Sequence, residues 1–346
     1  MKMSMSFEQI RECAQGAARV VQEPDGIHFY RFTEEQKAYY ATTQFANPPK
    51  HLATAGVRLV FRTNSRQLGL AVSVSAGSSR KFFAFDILVN GSRIGYLGNF
   101  TEEEKLVNYF AMDGRDGEFE GVWELPEGEK EVCIHFPYTK QGVLKELTLE
   151  EGAFVQPVKR AKKLITFGDS ITHGYDALHP SERYAGRLAD ALDAEEICKA
   201  IGGEIFQPVL AAMKDDFTPD YITVAYGTND WSHRTPEEFL VNCDGFYGNL
   251  VKAYPGVPIV ALTPIWRKDH TEGRPDGCGE FSAIEEMIRK VTAKYPQITC
   301  ISARHAVPED ERLLGDLRLH PSDEGFRYYY EGIVGPVLKA LKQDQE

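Results

Sequence analysis

Four short stretches of this chain carry residue types that can move protons and hold developing charge. The first is Gly168-Asp169-Ser170-Ile171-Thr172-His173-Gly174. A serine just past a buried strand, with glycines on both sides, can sit on a tight turn with its hydroxyl exposed. The N–H groups of a following helix N-terminus then point at the same spot. The plainer reading is a capped strand-to-helix turn. Thr172 stands where the second glycine of Gly-x-Ser-x-Gly would be, so this is not the nucleophile elbow of the α/β-hydrolase fold. The second stretch is Gly202-Gly203-Glu204, where glycine lets the backbone approach a ligand and offer a free N–H, or simply makes a loop. The third is Gly227-Thr228-Asn229-Asp230. Its Asn can aim a side-chain amide at an oxyanion, though Asn and Asp also favour turns and caps. The fourth runs from Asp316 to Phe326 and holds His320 before Pro321. A residue before proline is extended, and an imidazole with a pKa of about 6.5 can serve as general base. For any single one of the nine histidines a surface or capping role is the simpler reading.

These stretches need a frame that brings them together. After Pro157-Val158-Lys159-Arg160-Ala161-Lys162-Lys163, a basic linker-like segment, apolar runs alternate with amphipathic ones. Strands are expected at Leu164 to Phe167, Glu196 to Ile201, Tyr221 to Tyr226, Pro258 to Leu262 and Ile298 to Ile301. Helices are expected at Arg183 to Leu192, Pro208 to Lys214, Pro236 to Tyr254, Phe281 to Tyr295 and Glu324 to Leu341. Such alternation, with near-continuous apolar strands, implies a parallel sheet covered on both faces, whose site lies at the carboxyl ends of the strands. Three of the four stretches fall there, and the fourth is the C-terminal loop. The first 150 residues have another rhythm. Val57 to Arg62, Leu68 to Val74 and Val132 to Phe136 are short strand-like runs, and Asn90-Gly91 marks a hairpin between Phe85 to Val89 and Ser92 to Tyr96. Many short strands between turns point to a β-sandwich or jelly roll. A short helix is expected over Glu8 to Val20.

Composition narrows the partners. The 346 residues suggest two domains at about 150 residues each. With 42% hydrophobic and 26% charged residues, wholesale disorder is excluded. The 39 Lys and Arg against 51 Asp and Glu give a net charge of −12, which argues against nucleic acid or an anionic membrane as the partner. No apolar run reaches the roughly 20 residues of a bilayer span, and the first 20 residues lack a signal-like apolar core, so a cytoplasmic location is expected. The six cysteines form no C-x-x-C pair and read as buried free thiols.

Taken together and in chain order, Gly168-Asp169-Ser170, Gly203, Gly227-x-Asn229-Asp230 and His320-Pro321 resemble the four blocks of the SGNH/GDSL hydrolases, over residues 163–342. The resemblance implies a flavodoxin-like, three-layer α/β/α domain at 156–346 behind an N-terminal β-sandwich, jelly-roll-like domain at 1–155. That layout is similar to the two-domain carbohydrate esterases of the superfamily. By the same resemblance Ser170 is the nucleophile and His320 its base. The backbone N–H groups of Ser170 and Gly203 and the amide of Asn229 form the oxyanion hole, and no metal or organic cofactor is needed.

Two positions depart from the family pattern. The usual Asp three residues before the His is Leu317 here, and Asp316 lies four before. Either a one-residue bulge brings Asp316 to the ring, or a backbone carbonyl orients the ring and the pair works as a Ser–His dyad. Cys198 and Lys199 occupy the neighbourhood of the asparagine often found in the second block.

Trp266 and Arg267 after the fourth strand, Trp231 and His233 after the third block, and Asp169 beside the serine are the candidates for binding substrate, while His173 is expected behind the nucleophile. Asp113-Gly114-Arg115-Asp116-Gly117 reads as a turn and not as a calcium loop, for want of the terminal Glu. The expectation is a serine esterase removing small acyl groups, acetyl above all, from a small-molecule or oligosaccharide ester. The alternatives are a lipid or thioester hydrolase and a non-catalytic glycan-binding module.

Overall fold

The computed structural model describes residues 2–101 and 116–342. The expected turn at 113–117 lies outside the described residues except for Asp116 and Gly117. The chain divides into two units, Met1–Arg160 with Leu178–Ser181, and Ala161–Ala177 with Glu182–Glu346.

The first unit is built on two antiparallel sheets. One has the order Arg19–Glu23, Gly26–Tyr30, Lys140–Glu150, Gln67–Ala76, Gly117–Glu124, with Lys2–Ser4 pairing Lys140–Glu150. The other has the order Gln156–Pro157, Arg58–Thr63, Lys130–His135, Ala84–Val89, Ser92–Gly98, with Ala14–Gln15 pairing Arg58–Thr63. Leu68, Leu70 and Val72 of the first and Leu59, Phe61 and Ile134 of the second alternate inward at the strand period and share one core. Each such side chain contributes about 1.5–3 kcal/mol on burial. The hairpin turn has positive φ at both Asn90 (48°) and Gly91 (80°), as a two-residue type I′ turn requires.

Two features differ from the sequence expectation. The leading helix spans only Phe7–Cys13, because Ala14–Gln15 is extended and pairs with Arg58–Thr63, and the chain then turns at Gly16 (φ 79°). A Cβ at Gly16 would sit 2.3 Å from the Gly56 carbonyl oxygen. The strand Lys140–Glu150 is hidden in the sequence because a bulge between Leu144 and Glu146 interrupts its alternation.

In the second unit, numbered here by itself, the elements are β1 (Lys162–Gly168), α1 (Ser170–His173), α2 (Tyr184–Ala191), β2 (Ala194–Cys198), α3 (Pro208–Ala212), β3 (Tyr221–Ala225), α4 (Asp230–His233), α5 (Pro236–Ala253), β4 (Ile259–Leu262), α6 (Ser282–Thr292), β5 (Ile298–Ile301) and α7 (Asp323–Lys342). The strands are all parallel, in the order β2-β1-β3-β4-β5. This is the flavodoxin-like order of a three-layer α/β/α domain. Successive connections leave β1 on opposite sides, so a crevice opens at the carboxyl ends of β1 and β3. Helices cover the sheet because their apolar stripes need burial: α2 packs with α7, and α5 with α3 and α6. The longest connection helix, α5, starts from a Thr235/Glu238 capping box with Pro236 in its first turn.

Cys13, Cys198, Cys243 and Cys278 are buried free thiols, and Cys133 and Cys300 are half-buried. No helix among the described residues is long and apolar enough to cross a membrane.

Candidate active site

The site grows from the end of β1. Asp169 caps the next turn by accepting the Ile171 N–H at 2.9 Å, so Ser170 opens α1 with its own N–H at a position that has no intrahelical acceptor. The turn closes when Gly174 and Tyr175 donate their N–H groups to the Ser170 carbonyl at 3.0 and 2.9 Å. Arg183 grips it from behind, with Nε on the His173 carbonyl (2.9 Å) and Nη2 on the Thr172 carbonyl (2.8 Å). The same guanidinium pairs with Glu196 at 2.8 Å, and both side chains are buried. Buried pairs are poor evidence of stability, but this one leaves α1 little freedom.

His320 reaches Ser170 from the opposite end of the sequence. Its Nε2 lies 2.8 Å from Ser170 Oγ, and its Nδ1 lies 2.7 Å from Asp316 Oδ2. A carboxylate only accepts, so Nδ1 carries the proton and Nε2 presents its lone pair to the serine hydroxyl. The spacing of four residues works because Leu317 takes a left-handed conformation (φ 56°). That bend turns three amides onto Asp316 Oδ1, from Arg318 (2.9 Å), Leu319 (2.7 Å) and His320 (3.1 Å). Of the two arrangements open from the sequence, the structure has the bulged turn with Asp316 on the ring.

The charges follow from these contacts. Burial alone would raise the Asp316 carboxyl, but the His320 hydrogen bond and the backbone amides outweigh it and hold it well below the usual carboxylate range. Burial alone would lower His320, but the carboxylates of Asp176 and Asp316 at its Nδ1 raise it above its ordinary value. Asp176 is the residue that sequence reasoning missed. Its Oδ2 lies 3.3 Å from His320 Nδ1, and its side chain is fully buried. The only trace in the sequence is a carboxylate six residues after the serine, which no spacing rule singles out.

The second and third stretches are tied to α1 and to each other. Gly202 donates its N–H to Nδ1 of the buried His173 at 3.1 Å, which places His173 behind the Ser170 turn. Gly203 follows in the left-handed region (φ 89°), exposed, in a conformation glycine adopts at little cost. Asn229 stands at the start of α4 and donates one amide hydrogen to the Glu204 carbonyl at 2.8 Å. Its second amide hydrogen is not used in that bond. Cys198 and Lys199 are buried structural residues, the first against Arg183 and the second paired with Asp215 at 2.6 Å.

The expected substrate contacts are placed differently. Trp231 has no exposed surface. Its indole N–H donates to the Gly279 carbonyl at 2.8 Å, and the Arg267 and Arg274 guanidiniums lie 4.9 and 4.3 Å from its ring centre. Trp266 is buried as well. Arg267 is buried, grips both Asp269 oxygens and donates to the Thr228 carbonyl at 3.1 Å. All three side chains are buried instead of facing solvent: Trp231 lies against Arg274, Gly279 and Phe281, and Arg267 against Asp269. Asp169 is also buried, by its capping role, and burial pushes it up to about 6. His233 is exposed and its Nδ1 lies 2.7 Å from the Asn229 carbonyl. Asp230, buried under α4, accepts the Phe206 N–H at 3.1 Å through one oxygen, while the other has no partner among the described residues. Burial pushes it up to about 7.

Two groups of side chains among the described residues are close enough to hold a metal ion, namely Glu23, Asp25 and His28 in the first unit, and Asp176, Asp316 and His320 here. In the second group, an ion would have to displace the proton of His320 Nδ1 from its bond to Asp316.

Residues 166–328 match the GDSL-like Lipase/Acylhydrolase family. The stretch that holds Ser170 and His320 is therefore a GDSL-like lipase/acylhydrolase domain. No curated protein matches the chain. Among solved structures it is similar to the salicylyl-acyltransferase SsfX3 from a tetracycline biosynthetic pathway, with TM-score 0.76 and 22% identity over 96% of this chain and 95% of that one. It is similar to a family two carbohydrate esterase from Cellvibrio japonicus, with TM-score 0.67 and 17% identity over 99% and 98%. It is also similar to the acetyl xylan esterase Est2A from the rumen bacterium Butyrivibrio proteoclasticus, with TM-score 0.63 and 14% identity over 99% and 98%. At these identities the likeness is one of fold, and it spans both units.

Proposed function

We propose that the protein is a serine esterase that hydrolyses small acyl esters, acetyl above all, carried on a carbohydrate. One observation carries the reading: Ser170 Oγ, His320 and Asp316 are hydrogen-bonded in line, at 2.8 and 2.7 Å. Ser170 Oγ attacks the ester carbonyl as His320 Nε2 takes its proton, and Asp316 stabilises the imidazolium that forms. The oxyanion is held by the N–H groups of Ser170 and Gly203 and by the free amide hydrogen of Asn229. His320 then protonates the departing sugar oxygen. Water, deprotonated by the same ring, releases the acid from the acyl-enzyme. The cycle needs no metal or organic cofactor.

The carbohydrate acceptor is supported by the two-unit layout shared with carbohydrate esterases. On this reading an oligosaccharide ester is the partner, and the enzyme works inside the cell on imported oligosaccharides. Strong activity on insoluble polymer by secreted protein would count against that location.

The test is acetate release from acetylated mono- and oligosaccharides, beside 4-nitrophenyl acetate and octanoate, for wild type and Ser170→Ala. The expected result is sugar deacetylation that drops by about 10⁵–10⁶ in kcat for Ser170→Ala. Octanoate hydrolysis without sugar deacetylation would replace the substrate class. No Ser170-dependent release from any ester would overturn the esterase.

A further inference from the structure

The Nδ1 atom of His320 faces two carboxylates, not one. Asp316 approaches at 2.7 Å along the turn that also carries the histidine, and Asp176 at 3.3 Å from the segment after α1. Nδ1 has a single hydrogen, so one carboxylate takes the direct bond while the other lies against the same edge of the ring. The two are held independently. Three backbone amides fix Asp316. Asp176 has a fully buried side chain and a left-handed backbone (φ 74°), three residues past the end of α1. The other titratable groups around the ring are Tyr175, its ring 5.6 Å away, and Asp169 at the cap of α1. Neither lies on Nδ1.

A buried, ionised carboxylate is costly unless a positive charge appears beside it. Here that charge appears when His320 takes the proton from Ser170. The gain from Asp176 is therefore largest when the imidazolium forms.

We propose that Asp176 is a second positioning residue for His320, sharing the Nδ1 edge with Asp316 so that either carboxylate alone can orient the ring and stabilise its charge. This rests on the reading of His320 as the base. Because the two act on one atom, their removals are not additive.

The experiment compares Asp176→Asn, Asp316→Asn and the double variant by kcat/KM against pH on 4-nitrophenyl acetate. Asn tolerates the left-handed backbone at 176, and Asp176→Gly removes the carboxylate with still less strain should the first variant fold poorly. Each single variant is expected to lose roughly tenfold and the double about 10⁴-fold, well beyond the product of the two. The acid limb of the profile moves to lower pH in each single variant. Asp316→Asn already at the level of the double, with Asp176→Asn at wild type in rate and limb, overturns the proposal. So does a rate loss in Asp176→Asn with an unmoved limb, which marks a structural role only.

The His320 titration followed by NMR in Ser170→Ala, with and without Asp176→Asn, needs no turnover. A drop on adding Asp176→Asn supports the shared edge, and no change overturns it. The esterase reading stands or falls separately, on whether Ser170→Ala abolishes release.

Discussion

Asp316, on a loop, and Asp230, at the start of α4, both lie past carboxyl ends of the parallel sheet, and their environments drive them in opposite directions. Asp316 accepts three amides and an imidazole and is held well below the usual range. Asp230 accepts one amide, leaves one oxygen without a partner among the described residues, and is pushed up to about 7 by burial. Burial works against the charged form in both. The number of donors decides which acid stays ionised. One region is thereby built to hold a negative charge beside His320. The other places an acid with a raised pKa next in the chain to Asn229, the oxyanion donor of the proposed mechanism.

The most disruptive way to break this contrast is to destroy the turn that feeds Asp316. Proline is locked near φ −65° and cannot take the +56° of Leu317. Leu317→Pro is expected to lose about 10³–10⁴ in kcat, because the broken turn displaces His320 itself as well as Asp316, while Leu317→Gly stays near wild type. Steady-state kinetics with circular dichroism as a folding control checks this.

On the other side, Asn229→Ala is expected to cost about 10²–10³ in kcat with little change in KM, because its amide acts on the oxyanion and not on the ground-state ester. A loss confined to KM would remove Asn229 from the oxyanion hole.

The pH profile sharpens the contrast further. His320 must be neutral to accept the Ser170 proton, and its pKa is raised, so kcat/KM climbs with pH through a limb above about 6.5. For stability, the raised His320 contributes fully below its ordinary pKa and loses that contribution as pH rises through the folded value.

Asp230 gives the smallest effect. Its folded pKa of about 7 exceeds the ordinary 3.8, so between these values the unfolded chain has released a proton that the folded chain keeps. Stability therefore falls as pH rises across that window, by up to the order of 1 kcal/mol per pH unit. Asp230→Asn removes this slope. Its stability relative to wild type, from denaturant unfolding, is expected to improve steadily from about pH 4 to pH 7. Parallel curves would mean that Asp230 is ionised in the folded protein.

Much of this was legible in the chain itself. The alternation of apolar and amphipathic runs marked the five parallel strands and the helices Tyr184–Ala191, Pro236–Ala253 and Asp323–Lys342 to within a few residues, because each must bury one face. The two strand-rich sheets of the first unit showed through Leu68 to Val74 and the Asn90-Gly91 turn, where the period of two is clean. It failed at Lys140–Glu150, where a bulge breaks the period.

Within the site, the resemblance of four stretches in chain order to the blocks of the GDSL hydrolases singled out Ser170, Gly203, Asn229 and His320, each of which has a plainer reading when taken alone. Only the tertiary structure decided what those residues touch. The left-handed Leu317 carries Asp316 onto His320, and this is a backbone choice that an ordinary leucine does not announce. Trp231, Trp266 and Arg267 have the chemistry of a sugar platform, yet the fold buries all three. Asp176 reaches His320 from 144 positions away in the chain, a juxtaposition set by packing between distant segments that no local pattern encodes.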